Sequence, residues 1–202
     1  MLRASSYTPA IQAFLEANQT SMFKYLEDIV LLPSGSHNKQ GVDKVLQYIR
    51  KSFEGMDVST QVVQQSLLGN HLVVRSNCPP GPSDQILIVG HMDTVFPEDT
   101  EFNWYKADDI KCYGPGVVDM KGGLVVGIFA FKALQEIGLL QEIPLVFIFN
   151  SDEEIGSRSS LDVIQHEANQ SAAAFVLESG GLNGEVVTGR KGALMTLSLI
   201  HI

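Results

Sequence analysis

The chain has 202 residues, 45% of them hydrophobic and 18% charged, with a net charge of -9. That length holds one sizeable domain or a domain with the start of another, and the composition is that of a folded chain rather than a disordered one. The acidic balance, without a basic stripe, argues against a phosphate-reading surface, so nucleic acid is not an expected partner. No apolar run approaches the ~20 residues of a membrane helix, and the segment from Met1 to Glu16 has no apolar leader core. Cys78 and Cys112 stand far apart, in neither a C-x-x-C pattern nor a disulfide framework. A cytoplasmic protein without a membrane partner is the expectation.

In chain order, residues 8–31 predict a helix, with Phe14, Leu15, Met22, Tyr25, Leu26 and Ile29 near helical spacing. Pro33-Ser34-Gly35-Ser36 ends it in a loop. A second helix is expected over residues 40–56, with Val42, Val45, Leu46, Ile49 and Phe53 on one face. Strands are expected over 59–65 and 71–76 around a turn at Gly69-Asn70. A proline-rich surface loop follows at 78–84. Ile86-Leu87-Ile88-Val89 and Leu145-Val146-Phe147-Ile148-Phe149 are continuous apolar runs of the kind found in strands buried on both faces. Between them, 122–137 predicts a helix rich in small and apolar residues. A further helix is expected over 157–168, and another buried strand over 172–177. Strands alternating with helices imply an α/β fold of three αβα layers around a mostly parallel, mixed sheet.

In such sheets ligands gather at the carboxyl ends of the strands. Three apolar runs here end in ionisable residues: Gly90-His91-Met92-Asp93-Thr94, Asn150-Ser151-Asp152-Glu153-Glu154 and Glu178-Ser179-Gly180. Between the first two lies a glycine-rich turn, Gly114-Pro115-Gly116-Val117-Val118-Asp119-Met120-Lys121-Gly122-Gly123, opening a helix. Imidazole and carboxylate together suit zinc or a similar divalent ion. Adjacent acids such as Glu153 and Glu154 repel unless a cation or a shared proton compensates. One could then bind metal while the other handles protons. Taken singly, each residue has a plainer reading: Asp119 as an N-cap, Glu153-Glu154 as a solvated turn. His37 and His71 read as loop or strand-surface histidines, and His166 as solvated.

Four motifs, in order, resemble the metal-site motifs of a superfamily: His91-Met92-Asp93-Thr94-Val95, Tyr113 to Gly123, Ser151-Asp152-Glu153-Glu154-Ile155-Gly156-Ser157, and Leu177-Glu178. This is the di-zinc amidohydrolase superfamily of glutamate carboxypeptidase, acetylornithine deacetylase, succinyl-diaminopimelate desuccinylase and aminoacylase. His-Met-Asp-Thr-Val and Tyr-Gly-Pro-Gly resemble the glutamate carboxypeptidase branch most.

The resemblance implies two Zn2+ ions, with Co2+ or Mn2+ also accepted by such ligands. Asp119 would bridge the ions, His91 and Glu178 would complete one, and Glu154 would bind the other. Glu153 would be the general base and acid, taking a proton from a bridging water and giving it to the leaving amine. Asp93 would hold the second nitrogen of His91, and a cis peptide is implied after Asp119. The implied activity is that of a metallopeptidase or deacylase cleaving a peptide or N-acyl amide bond beside a carboxylate-bearing amino acid. A metal-binding fragment without turnover is the alternative.

Family members are longer than this chain. The resemblance assigns residues 1–189 to the N-terminal part of the catalytic domain. It assigns 190–202 to the first strand of a truncated lid or dimerisation domain, through which a parent enzyme would form a homodimer. A final histidine ligand and an oxyanion-steadying histidine would lie in the missing parts, and His201 matches neither.

Overall fold

The structure is a computed structural model that describes residues 6–78, 85–181 and 183–189. Helix α1 (Thr8–Val30) carries proline in its first turn, where the missing N–H costs nothing, and buries only Tyr25, Leu26, Ile29 and Val30 near its end. Helix α2 (Lys39–Lys51) is capped by Asn38, whose side chain accepts from the Gly41 N–H at 2.9 Å, and ends in Arg50 and Lys51, favourable charges for a helix C-terminus. It is shorter than the expected 40–56. The chain leaves the helix in successive turns and reaches Gly55 at φ 78, while Phe53 stays buried.

Five strands form the main sheet: β1 (Val58–Val63), β2 (His71–Ser76), β3 (Gln85–His91), β6 (Leu145–Asn150) and β7 (Ser171–Val176), in the order β1-β2-β6-β3-β7. β2 runs antiparallel to both its neighbours, while β6, β3 and β7 are parallel, so β2 alone points against the others. A two-stranded hairpin, β4 (Lys106–Ala107) with β5 (Cys112–Tyr113), stands apart. Its strands are too short to show a periodic signal in sequence.

Helix α3 (Gly122–Glu136) crosses from β3 to β6, and α4 (Leu161–Ala168) from β6 to β7. Leu72, Val74, Phe147 and Phe149 turn one sheet face to the buried residues of α1, α2 and α3. Val73, Leu87, Val146 and Ile148 turn the other face to Val163 and Ile164 of α4. These are the three layers expected. Each fully buried apolar side chain contributes about 1.5–3 kcal/mol, so the first cluster dominates the fold's stability.

Two expectations need correction. Helix α4 begins at Leu161 rather than 157, because Asp152 takes the backbone N–H groups of Ser159 and Ser160 and Ser157 adopts φ 52, holding 157–160 in turns. The strand expected to be buried, β7, is an edge strand among the described residues, and five of its six residues are exposed. The surface loop expected over 78–84 and the lid strand expected over 190–202, with His201, fall almost wholly outside the described residues. No helix among the described residues is long and apolar enough to cross a membrane.

Candidate metal centre

The parallel strands β3, β6 and β7 all deliver their carboxyl ends to one edge of the sheet. His91 is the last residue of β3, opposite Asn150 at the end of β6, and the Met92 N–H continues the ladder to Asn150 O at 2.8 Å. Beyond β6 the chain turns through Glu153–Ile155, a single tight helical turn. Beyond β7, Leu177 donates to Val89 O at 3.0 Å, which places Glu178 beside the end of β3.

Asp119 comes from the turn before α3. Gly116 takes φ 73, which glycine adopts freely, and the Lys121 N–H closes on its carbonyl at 2.8 Å. The Asp119–Met120 peptide is cis, as the resemblance implied. Met120 is buried, with its sulfur 3.1 Å from the His91 amide nitrogen. The Lys121 side chain turns away from the acids. Its ammonium donates to Ile29 O at 2.9 Å and Leu32 O at 3.0 Å, carbonyls in the last turn of α1 and just beyond it, and burial pushes its pKa down to about 7. Gly123 is required at its position, since a Cβ there would overlap the carbonyl oxygen of Leu177. Its absence lets α3 lie against the chain that leads into Glu178.

These segments converge on one imidazole. Nε2 of His91 stands 2.9 Å from Asp119 Oδ1, 3.3 Å from Glu178 Oε1 and 3.9 Å from Glu153 Oε2. Two sets of donor atoms lie within 4.8 Å of one another: His91, Glu153 and Glu178, and His91, Asp119 and Glu154. One imidazole with several carboxylates matches the donor chemistry of zinc and neighbouring divalent ions. His91 is buried while Asp119 and Glu153 are open to solvent, so the cluster is anchored at its base and accessible at its rim.

Burial alone would lower the His91 pKa, but the carboxylates of Asp93 and Glu178 outweigh it and push the pKa up to about 9. Glu154 is raised by burial and by the nearby carboxylates of Asp119, Asp93 and Glu153, against the opposing pull of His91. Like charges are therefore crowded here to a degree that a bound cation would relieve.

All six residues singled out in the sequence, His91, Asp93, Asp119, Glu153, Glu154 and Glu178, meet at this edge. The contact of Asp93 differs in detail from expectation. Nδ1 of His91 lies 2.9 Å from the backbone carbonyl of Asp93 and 3.4 Å from its carboxylate. That carboxylate instead takes the backbone N–H groups of Glu153 and Glu154, each at 3.2 Å, and the hydroxyl of Ser36 at 2.7 Å. Asp93 thus braces the acidic turn as well as the imidazole. Ser36 carried no signal in the sequence. It lies in the loop after α1, 57 positions before Asp93, and reaches it because that loop pairs with Thr94.

His37 and His166 are exposed, as expected. His71 is not a surface residue: it is fully buried, with both ring nitrogens beside serine hydroxyls.

Residues 87–191, more than half of the chain, match the model of peptidase family M20/M25/M40. The chain belongs to this family. The M20 relatives include carboxypeptidase G2 of Pseudomonas sp. (strain RS-16), 29% identical over 153 residues, which cover 74% of this chain and 36% of that protein. Another is a probable succinyl-diaminopimelate desuccinylase of Staphylococcus aureus (strain MRSA252), 27% identical over 144 residues, covering 68% of this chain and 33% of the relative. The fold matches that of human carnosine dipeptidase 1 with a TM-score of 0.73 and 17% identity, over 87% of this chain and 42% of that one. The M20 chain here therefore spans about a third of the length of the curated relatives it matches.

Proposed function

We propose that this chain carries the metal centre of a zinc-dependent metallopeptidase or amidohydrolase that cleaves a peptide or N-acyl amide bond beside a carboxylate-bearing amino acid. The observation that carries the reading is the convergence of three strand ends and the Asp119 turn on Nε2 of His91. In this reading His91, Asp119, Glu154 and Glu178 would hold two ions, Asp119 serving both, and residues 1–189 are part of the catalytic domain. A divalent ion bound here supplies Lewis acidity toward a carbonyl and acidifies water from 15.7 toward ~7.

The protein's own groups do the rest. The Asp93 carbonyl accepts the Nδ1 proton of His91, which leaves the Nε2 lone pair for the ligand role. Glu153 is the general base: its carboxylate stands at the exposed rim, where Oε2 can take a proton from water and later return it to the leaving amine. The tie from Asp93 to the Glu153 and Glu154 amides sets the two carboxylates in fixed relation, one for metal and one for the proton. The substrate side of the proposal rests on the motifs His91 to Val95 and Tyr113 to Gly116, and on similarity to a carboxypeptidase. A parent homodimer belongs to the same proposal.

Metal analysis and an assay on acyl-glutamates and small peptides test it. About two zinc ions per chain with hydrolysis supports the enzyme. One ion without turnover supports the second reading, a metal-binding unit that lacks activity by itself. Absence of metal binding would sink both. In an active form, Glu153→Ala should lower turnover by several orders of magnitude with metal retained. Loss of metal on that change would mean that Glu153 and Glu154 have exchanged roles.

A further inference from the structure

His71 opens β2, is fully buried, and takes no part in the cluster around His91. Its Nδ1 lies 3.0 Å from Ser151 Oγ and its Nε2 3.2 Å from Ser159 Oγ. The hydrogen-bond roles follow from counting protons. Ser151 spends its one hydroxyl proton on the carbonyl of Gly69 at 2.5 Å, so its oxygen must accept from Nδ1–H of His71. Ser159 has one hydroxyl proton for two acceptors: it donates to Asp152 Oδ2 at 2.8 Å and shares that proton with Nε2 of the neutral ring at 3.2 Å. Asp152 Oδ2 is held independently by the Ser159 N–H at 2.6 Å and the Ser160 N–H at 3.2 Å. Burial lowers the His71 pKa, in keeping with a neutral ring.

The two serines bracket the acidic turn. Ser151 precedes Glu153 and Glu154, and Ser159 follows them. Within the bracket, Ser157 N–H donates to Asp152 O at 2.7 Å and Gly156 N–H to Glu153 O at 2.8 Å. From the opposite side, Asp93 takes the amides of the two glutamates. The turn is thus pinned at its centre by Asp93 and at both ends by one imidazole, which also ties it to the β1–β2 hairpin.

We propose that His71 is a positioning residue: by joining Ser151 and Ser159 it sets where the carboxylates of Glu153 and Glu154 stand. This rests on the reading of the cluster as a metal centre. Removing a group that orients metal ligands from outside costs about 10–100-fold in affinity, and the lower end is expected because His71 acts through the backbone of the turn.

The test is a Co2+ titration of the 202-residue chain followed by visible absorption, with far-UV circular dichroism to check folding. His71→Leu and Ser159→Ala should each bind Co2+ about tenfold more weakly, with altered d–d bands. His71→Asn, which keeps a donor near Ser151, should recover part of the loss. Unchanged affinity and spectrum in a folded His71→Leu overturns the proposal. If His71→Leu does not fold, unchanged affinity and spectrum in Ser159→Ala does so. If the unaltered chain takes up no Co2+, it is the metal-centre reading that fails, and this proposal with it.

Discussion

Strands β6 and β7 flank β3 on its two sides, both parallel to it, and each leads into acids of the candidate site. Phe147 of β6 and Phe175 of β7 are both register partners of Ile88. Phe147 is fully buried and stacks between Phe131 and Phe149, whereas Phe175 is 56% exposed. The same residue type, opposite the same neighbour, is core on one side and surface on the other. Position in the sheet decides this, because β6 has strands on both sides and helices on both faces, while β7 has a strand partner on one side alone among the described residues. The candidate centre straddles the boundary: Glu153 and Glu154 come from the interior strand and Glu178 from the edge.

The contrast can be broken at four points. The largest effect is expected at Phe147→Ala, which should cost about 3–5 kcal/mol in a urea titration. A loss below about 1 kcal/mol would show that β6 is not the keystone of the core. Next, Asp93→Ala should weaken Co2+ or Zn2+ binding roughly 10–100-fold in a calorimetric titration, since it frees the acidic turn after β6 and removes the carboxylate 3.4 Å from Nδ1 of the site's histidine. A loss restricted to turnover would assign Asp93 a purely chemical role.

Third, pH separates proton from metal at His91. With its pKa raised to about 9 from an ordinary 6.5, the metal-free ring is protonated at neutral pH. Its contribution to stability is fully present below 6.5 and is lost as pH rises through about 9. A metal ion needs the bare nitrogen, so uptake between those values should release close to one proton from this group. Apparent affinity should then fall about tenfold per pH unit below 9 on its account. Calorimetry in buffers of differing ionisation heat would count the proton, and zero release contradicts the assignment of Nε2 as ligand. The smallest effect belongs to Phe175→Ala, expected within about 0.5 kcal/mol of the parent. A loss comparable to that of Phe147→Ala would mean that β7 is covered in solution.

Much of the site was legible because its residues sit where local pattern changes abruptly. An apolar strand that ends in His91 or in Glu153-Glu154 announces a strand end, and parallel topology brings such ends together. The turn at Asp119 was legible through its glycines, and the resemblance supplied the roles. The supporting residues were not legible. Ser36 is one serine in a loop, and His71 is one polar residue at the start of a strand, which reads as a surface position. Both acquire their roles only when segments 57 and 80 positions away are folded against them.

From sequence alone came the α/β layering, the chain order of the main-sheet strands and the six residues of the cluster, because hydrophobic period and strand-end chemistry are local properties. Three-dimensional packing alone decided which strand is core and which is edge, where α4 begins, and which distant side chains hold the acidic turn. Burial and hydrogen-bond partnership are set by neighbours in space, and an apolar strand such as β7 carries no mark of how many neighbours it will have.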